Sequence, residues 1–476
     1  MKRATLYYLA TLVLAAAAIV GVLHLGSVFP AGAQVPTAGT AGGTGSLALL
    51  TGLAANLREP LSHLFVQLLV IILASRVISG ALQRIGMPAV VGEMTAGILL
   101  GPSLFGLVAP EAFAFVFPKD SLGALKLLSQ VGVCLYMFAV GMDLDIGHVR
   151  KKAQAAVAVS HASIVAPFVL GVALAYFLYE SLSGPRATFT GFALFMGISM
   201  SITAFPVLAR ILQERGLSKT FLGSTAIACA AVDDVTAWTM LAFVVAIVGS
   251  ASMATSVVTL VLSLLFVAVM AFLVRPAVPR ILGKAGLAQE DPSTGTLALV
   301  ICVVLAGALS TELIGIHALF GAFVAGAVMP EADGFRDRIR ARVEKFSSAL
   351  LLPLFFVYTG LRTQLGLLDD LQGWMICLLI VAVATVGKLG ASTLAARVTG
   401  IGWRESLQLG ALMNTRGLME LIALNIGYDM GILSPRIFTM LVIMALATTV
   451  MTGPLLTLFQ ARRSADGRMA PARVRV

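Results

Sequence analysis

Asp233 and Asp234 stand side by side in Ala231-Val-Asp-Asp-Val-Thr-Ala-Trp238, in the middle of a long apolar stretch. Between Phe221 and Val248 the only other ionisable side chain is Cys229. A carboxylate at mid-membrane depth costs at least ~2.5–3.5 kcal/mol on insertion scales, and intramembrane charges mark ion or proton paths by default. Helix neighbours point about 100° apart. One aspartate is therefore expected to face a structural partner while the other faces an aqueous cavity. A carboxylate that takes either a proton or a cation couples the two by competition. The plainer alternative is a satisfied polar pair that holds helices together. Intramembrane aspartyl proteolysis needs two carboxylates converging on one water from separate helices, and adjacent residues on one helix diverge.

Three further stretches put polar chemistry at the same depth. Gly197-Ile-Ser-Met-Ser-Ile-Thr-Ala-Phe-Pro206 offers Ser199, Ser201, Thr203 and Pro206. Pro206 denies a backbone hydrogen bond, and the three hydroxyls are expected to re-satisfy the freed backbone. Met413-Asn-Thr-Arg-Gly-Leu-Met-Glu420 brings Asn414, Thr415, Arg416 and Glu420. Paired interruptions in corresponding places of two inverted halves point to a transporter binding site. Gly387-Lys388 adds an ammonium that should pair with Asp233, Asp234 or Glu420 or lose its proton. Arg416, four residues before Glu420, either neutralises that carboxylate or answers the carbonyl ends of a broken helix.

The remaining candidates read more blandly. His63, His161 and His317 are expected to be packed, hydrogen-bonded histidines rather than ligands. Glu93, short of mid-depth, lines a cytoplasmic vestibule or caps a helix. Gly321-Ala-Phe-Val-Ala-Gly326 reads as a small-residue face for close helix packing. The four cysteines, Cys134, Cys229, Cys302 and Cys377, have no metal-ligand spacing and read as free thiols. No strand–glycine loop–helix pattern supports a nucleotide site, and no cofactor is expected.

The elements that must position these groups are membrane helices. The 476 residues are 59% hydrophobic and 12% charged, with mean hydropathy +0.97, which describes an all-α polytopic membrane protein. Residues 1–33 resemble a signal peptide or anchor helix, and 34–59 a flexible external linker. Thirteen segments follow, near 61–82, 88–104, 122–142, 153–179, 187–211, 219–249, 255–274, 294–311, 316–330, 346–361, 372–396, 405–428 and 436–459. With residue 60 outside, inward loops and the basic tail 461–476 hold 22 Lys and Arg, and outward loops hold Arg58, Lys119, Arg186, Arg362 and Arg436. The positive-inside rule then puts the carboxyl terminus in the cytoplasm of a cell (inner) membrane. This distribution also explains the +10 net charge without a nucleic-acid partner.

These stretches together resemble the monovalent cation:proton antiporter-2 family, with the plant CHX-type exchangers and their fungal and bacterial relatives closest. The resemblance runs through Met87-Pro-Ala-Val-Val-Gly-Glu-Met-Thr-Ala-Gly-Ile-Leu-Leu-Gly-Pro-Ser103, the Asp-Asp pair, 317–326, Leu352-Pro-Leu-Phe-Phe-Val-Tyr-Thr-Gly-Leu361, Gly387-Lys388 and Asn414-Thr-Arg-Gly-Leu-Met-Glu-Leu-Ile422. It implies an inverted-repeat antiporter fold with two crossing broken helices. A mobile core (about 153–249 and 372–459) would move against a dimerisation scaffold (about 61–142 and 294–361), in a homodimer. By motif, Asp234 matches the family's ion- and proton-binding carboxylate, taking K⁺ or Na⁺ and H⁺, and Asp233 matches the partner of the intramembrane lysine, Lys388. A cation channel or sensor on the same fold is the alternative. Many relatives carry a large cytoplasmic regulatory domain; here 461–476 leaves no nucleotide-binding regulatory domain to expect.

Overall fold

The structure is a computed structural model that describes Asn56 and residues 59–84, 87–142, 153–217, 220–249, 253–289 and 291–461. The signal-like segment, most of the linker and all of the tail after Ala461 lie outside the described residues, as do Arg58, Arg150, Lys151, Lys152 and Lys219. The described chain is helical, with a lone antiparallel bridge between Ser183 and Leu433. Helices are the expected outcome because a lipid-immersed segment must satisfy its backbone polar groups internally.

Each of the thirteen expected segments contains helix. The first four are α1 (Pro60–Arg84), α2 (Ala89–Leu100), α3 (Leu122–Met142) and α4 (Ala153–Leu182). The fifth is split into α5 (Phe189–Ser201) and α6 (Phe205–Glu214), and the Asp-Asp helix is α7 (Phe221–Gly249). Next, α8 (Met253–Val269) continues through a π-turn into α9 (Arg275–Ala288). Then come α10 (Thr294–Ile314), α11 (Ala318–Ala327), α12 (Phe335–Phe346), α13 (Leu352–Leu361) and α14 (Leu371–Val398). The twelfth segment is split into α15 (Trp403–Met413) and α16 (Leu418–Asp429), and α17 (Pro435–Ala461) is last. Among the described residues, ten helical runs are long and apolar enough to cross a membrane.

Two basic stretches expected to be loops are helical instead. Arg275, Arg280 and Lys284 lie on α9, and Arg336 to Lys345 form α12, which joins α13 through a π-turn at Ser347–Leu351. The arginines of α12 hold it in place by serving carbonyl oxygens at and beyond neighbouring helix ends. Arg336 donates to Ala327 O (2.8 Å), Arg338 to Leu287 O (2.6 Å) and Arg342 to Pro292 O (3.2 Å). Such placement suits cations at the negative end of a helix dipole.

Close helix approach rests on glycine, as expected for 321–326. A Cβ on Gly326 would overlap the Phe138 carbonyl of α3, and one on Gly321 the Gly307 carbonyl of α10. A third contact of this kind joins Gly97 of α2 to Gly360 of α13. All four cysteines are free.

Candidate functional site

The two split helices cross at their breaks. Residues 202–204 and 414–417 are not helical, and the Ala204 N–H donates to the Thr415 carbonyl at 2.9 Å, tying one break to the other. The Thr203 hydroxyl reaches across to the Met413 carbonyl (3.1 Å). Pro206 is the second residue of α6, where a missing N–H costs nothing; the break lies upstream of it.

The freed carbonyls at the end of α5 are not answered by the hydroxyls, contrary to expectation. Ser199 and Ser201 bond back to Phe195 O (2.6 Å) and Gly197 O (2.7 Å) on their own helix. Two cations serve the helix end instead. Arg416 donates to Ser199 O (2.6 Å) and Met200 O (2.7 Å), and Lys388 donates to Ser201 O and, at 3.1 Å, to Ser163 O. The physical reason is charge: the C-terminal end of a helix is its negative pole. Arg416 also lies 3.4 Å from Glu420, although residues 414–417 are not helical, so both sequence readings of this arginine hold at once.

The aspartates diverge into different surroundings. Asp233 is fully buried and accepts from Ser160 (2.5 Å), Ser163 (2.9 and 3.1 Å) and Thr203 (2.5 Å), with Lys388 Nζ at 3.6 Å. A carboxylate offers about four lone-pair positions, so Asp233 has no room for another ligand. Asp234 accepts from the Phe205 N–H, at the positive N-terminal end of α6, and its Oδ1 has no partner. It is 2% exposed, so it is shut away in this conformation instead of facing the expected aqueous cavity.

Around the crossing, buried Asn414 has neither amide atom partnered, and neither Glu420 oxygen is hydrogen-bonded. Thr415 meets Thr452 (3.3 Å). Glu93 is the fifth residue of α2 and half-buried. His63 and His161 bond to Phe115 O (2.8 Å) and Val157 O (2.9 Å), while His317 caps α11. Sequence reasoning missed Ser160 and Ser163. Their i, i+3 spacing on an apolar helix, which puts both hydroxyls on one face, was the available signal.

The sequence matches the family described as "Sodium/hydrogen exchanger, transmembrane" over residues 68–460. The chain belongs to the sodium/hydrogen exchanger family. It is 43% identical over 389 residues to the Na(+)/H(+) antiporter NhaS4 of Synechocystis sp., covering 82% of this chain and 95% of that one. It is 38% identical over 402 residues to the Cation/H(+) antiporter 17 of Arabidopsis thaliana, covering 83% of this chain but 49% of the plant protein, about half its length. Among solved structures, the sodium proton antiporter MjNhaP1 from Methanocaldococcus jannaschii superposes with a TM-score of 0.58 at 14% identity, over 84% of this chain and 97% of that one. The fold is therefore the inverted-repeat fold of these antiporters, in a multi-span membrane protein of the cation/proton antiporter family.

Proposed function

We propose that this protein exchanges a monovalent cation, K⁺ or Na⁺, for H⁺ by alternating access, the two ions competing for Asp234. The observation that carries this reading is the asymmetry of the aspartates: Asp233 is saturated by three hydroxyls and Lys388, while Asp234 keeps an unpartnered, buried carboxylate oxygen beside a helix break. An unpartnered buried oxygen costs about 1–3 kcal/mol, which a proton or a desolvated cation relieves. Asp233 and Lys388 then hold the crossing together, and Arg416 neutralises the carbonyl ends that the breaks create.

The core, about 153–249 and 372–459, carries the crossing and rocks against the scaffold, about 61–142 and 294–361, in a homodimer. The basic helix α12 and the tail face the cytoplasm, and Glu93 lines a vestibule on that side. The test is flux in vesicles under imposed pH gradients, with K⁺, Na⁺, Li⁺ and Rb⁺ in turn. Saturable exchange in the wild type, lost in folded Asp234→Asn protein, is the expected result. Wild-type exchange by Asp234→Asn, or non-saturating flux, overturns the proposal.

A further inference from the structure

One end of the molecule joins the proposed core to the proposed scaffold by charge. Asp429, the last residue of α16, is met by Lys126 of α3 at 2.9 Å and by Arg362, just past α13, at 2.8 Å. Arg362 is fixed from several sides. It donates to Asn425 Oδ1 (2.9 Å), one turn back on α16, and to the Tyr358 hydroxyl (2.5 Å), and it lies 4.3 Å over the Tyr358 ring. Asn425 in turn donates to Thr359 Oγ1 at 2.8 Å. Lys126 and Thr359 of the scaffold, and Arg362 immediately after its last residue, thus meet Asp429 and Asn425 of the core.

Lys126, Arg362 and Asp429 themselves line a cavity of about 30 Å³, together with Ser129, Phe355 and Ile422. That is room for one or two waters, not for a hydrated cation to pass. From its first residue, Leu418 beside the crossing, to Asp429, α16 is an unbroken helix of 12 residues, about 18 Å long at 1.5 Å per residue. The network and the break beside Asp234 are thus two ends of one rigid element.

We propose that Asp429 is a gating residue for exchange. Its pairs with Lys126 and Arg362 close the path to Asp234 from this face, and they part each time Asp234 opens to it. The inference rests on the exchange reading above. Lys126, Asp429 and Arg362 side chains are 34, 31 and 15% exposed. Pairs this wet are weak enough to break in every cycle, since partly exposed ion pairs contribute little each. Losing the Asp429 charge removes both pairs at once and should shift the equilibrium toward opening on this face by about 5–30-fold.

The test is thiol accessibility. Ser129→Cys, in protein whose four native cysteines are replaced, reports on the cavity from an impermeant maleimide added on this face. Asp429→Asn should raise its labelling rate about 5–30-fold, and Lys126→Gln should raise it less. An unchanged rate in folded variants, judged by an unaltered gel-filtration profile and melt, overturns the gate; Lys126→Gln decides alone if Asp429→Asn does not fold. Repeating the labelling with Asp234→Asn separates the two proposals. The gate predicts the same increase in protein that cannot exchange, so the gate can fail while exchange stands, and the reverse.

Discussion

Neutralising Asp233 and Lys388 singly and together measures the buried pair at the crossing. At 3.6 Å, two unit charges attract by about 4–5 kcal/mol for an effective dielectric constant of about 20. Desolvation offsets much of this in the intact protein, but removing one partner strands the other and costs roughly 3–5 kcal/mol. Each stranded group still keeps some partners, Asp233 its three hydroxyls and Lys388 its two carbonyls. We therefore expect Asp233→Asn and Lys388→Gln each to fall near the lower end, about 3 kcal/mol. The double variant should cost clearly less than their sum, with a coupling energy of at least ~2 kcal/mol. Equilibrium unfolding in mixed detergent micelles gives the cycle. Asp234 remains, so part of the exchange should survive in the double variant. Strictly additive losses would show that the two residues are not partners, and the roles assigned to the two aspartates would fall with them.

Three other perturbations probe the same framework. Arg416→Met leaves two α5 carbonyls and Glu420 unanswered and should destabilise by roughly 3–5 kcal/mol, partly recovered on adding Glu420→Gln; unfolding measurements that show no recovery would remove the ion pair from the account. Gly360→Ala places a Cβ on the Gly97 backbone and should cost about 1–3 kcal/mol, read as a lower melting temperature, whereas an unchanged melt would mean that α2 and α13 are not in close contact. A cysteine at exposed Lys345, in a cysteine-free background, should resist impermeant thiol reagents in intact cells and react in inverted vesicles; the opposite pattern would invert the proposed topology.

The sequence made the framework readable where residues violate the solvent they sit in. Thirteen apolar segments, two interrupted by polar runs, and an isolated lysine stand out because lipid penalises each exception. Lys388 lies 3.6 Å from Asp233. What did not show was anything decided by distant packing. Ser160 and Ser163 are ordinary hydroxyls on a helix until α4 lies against α7, where they fill Asp233. The run Arg336–Lys345 reads as a loop because it is too hydrophilic to span a membrane, yet its arginines find carbonyls on other elements. Asp429 sits at the end of a segment, where a charge is unremarkable; its pairing with Lys126 and Arg362 exists only through tertiary structure. The roles of Ser199 and Ser201 were misread for a related reason. Cations from two other segments reach the α5 carbonyls, so the local hydroxyls are not needed there.

The claim that cation and proton compete for Asp234 is tested most directly by calorimetric binding of K⁺ or Na⁺ to the purified protein across a pH series, in buffers of differing ionisation heat. Competition predicts that binding releases close to one proton at acid pH, and that apparent affinity falls by up to about tenfold per unit decrease in pH. It also predicts that no cation binding remains in folded Asp234→Asn protein. Cation binding that releases no proton at any pH, or that survives in Asp234→Asn, would contradict it.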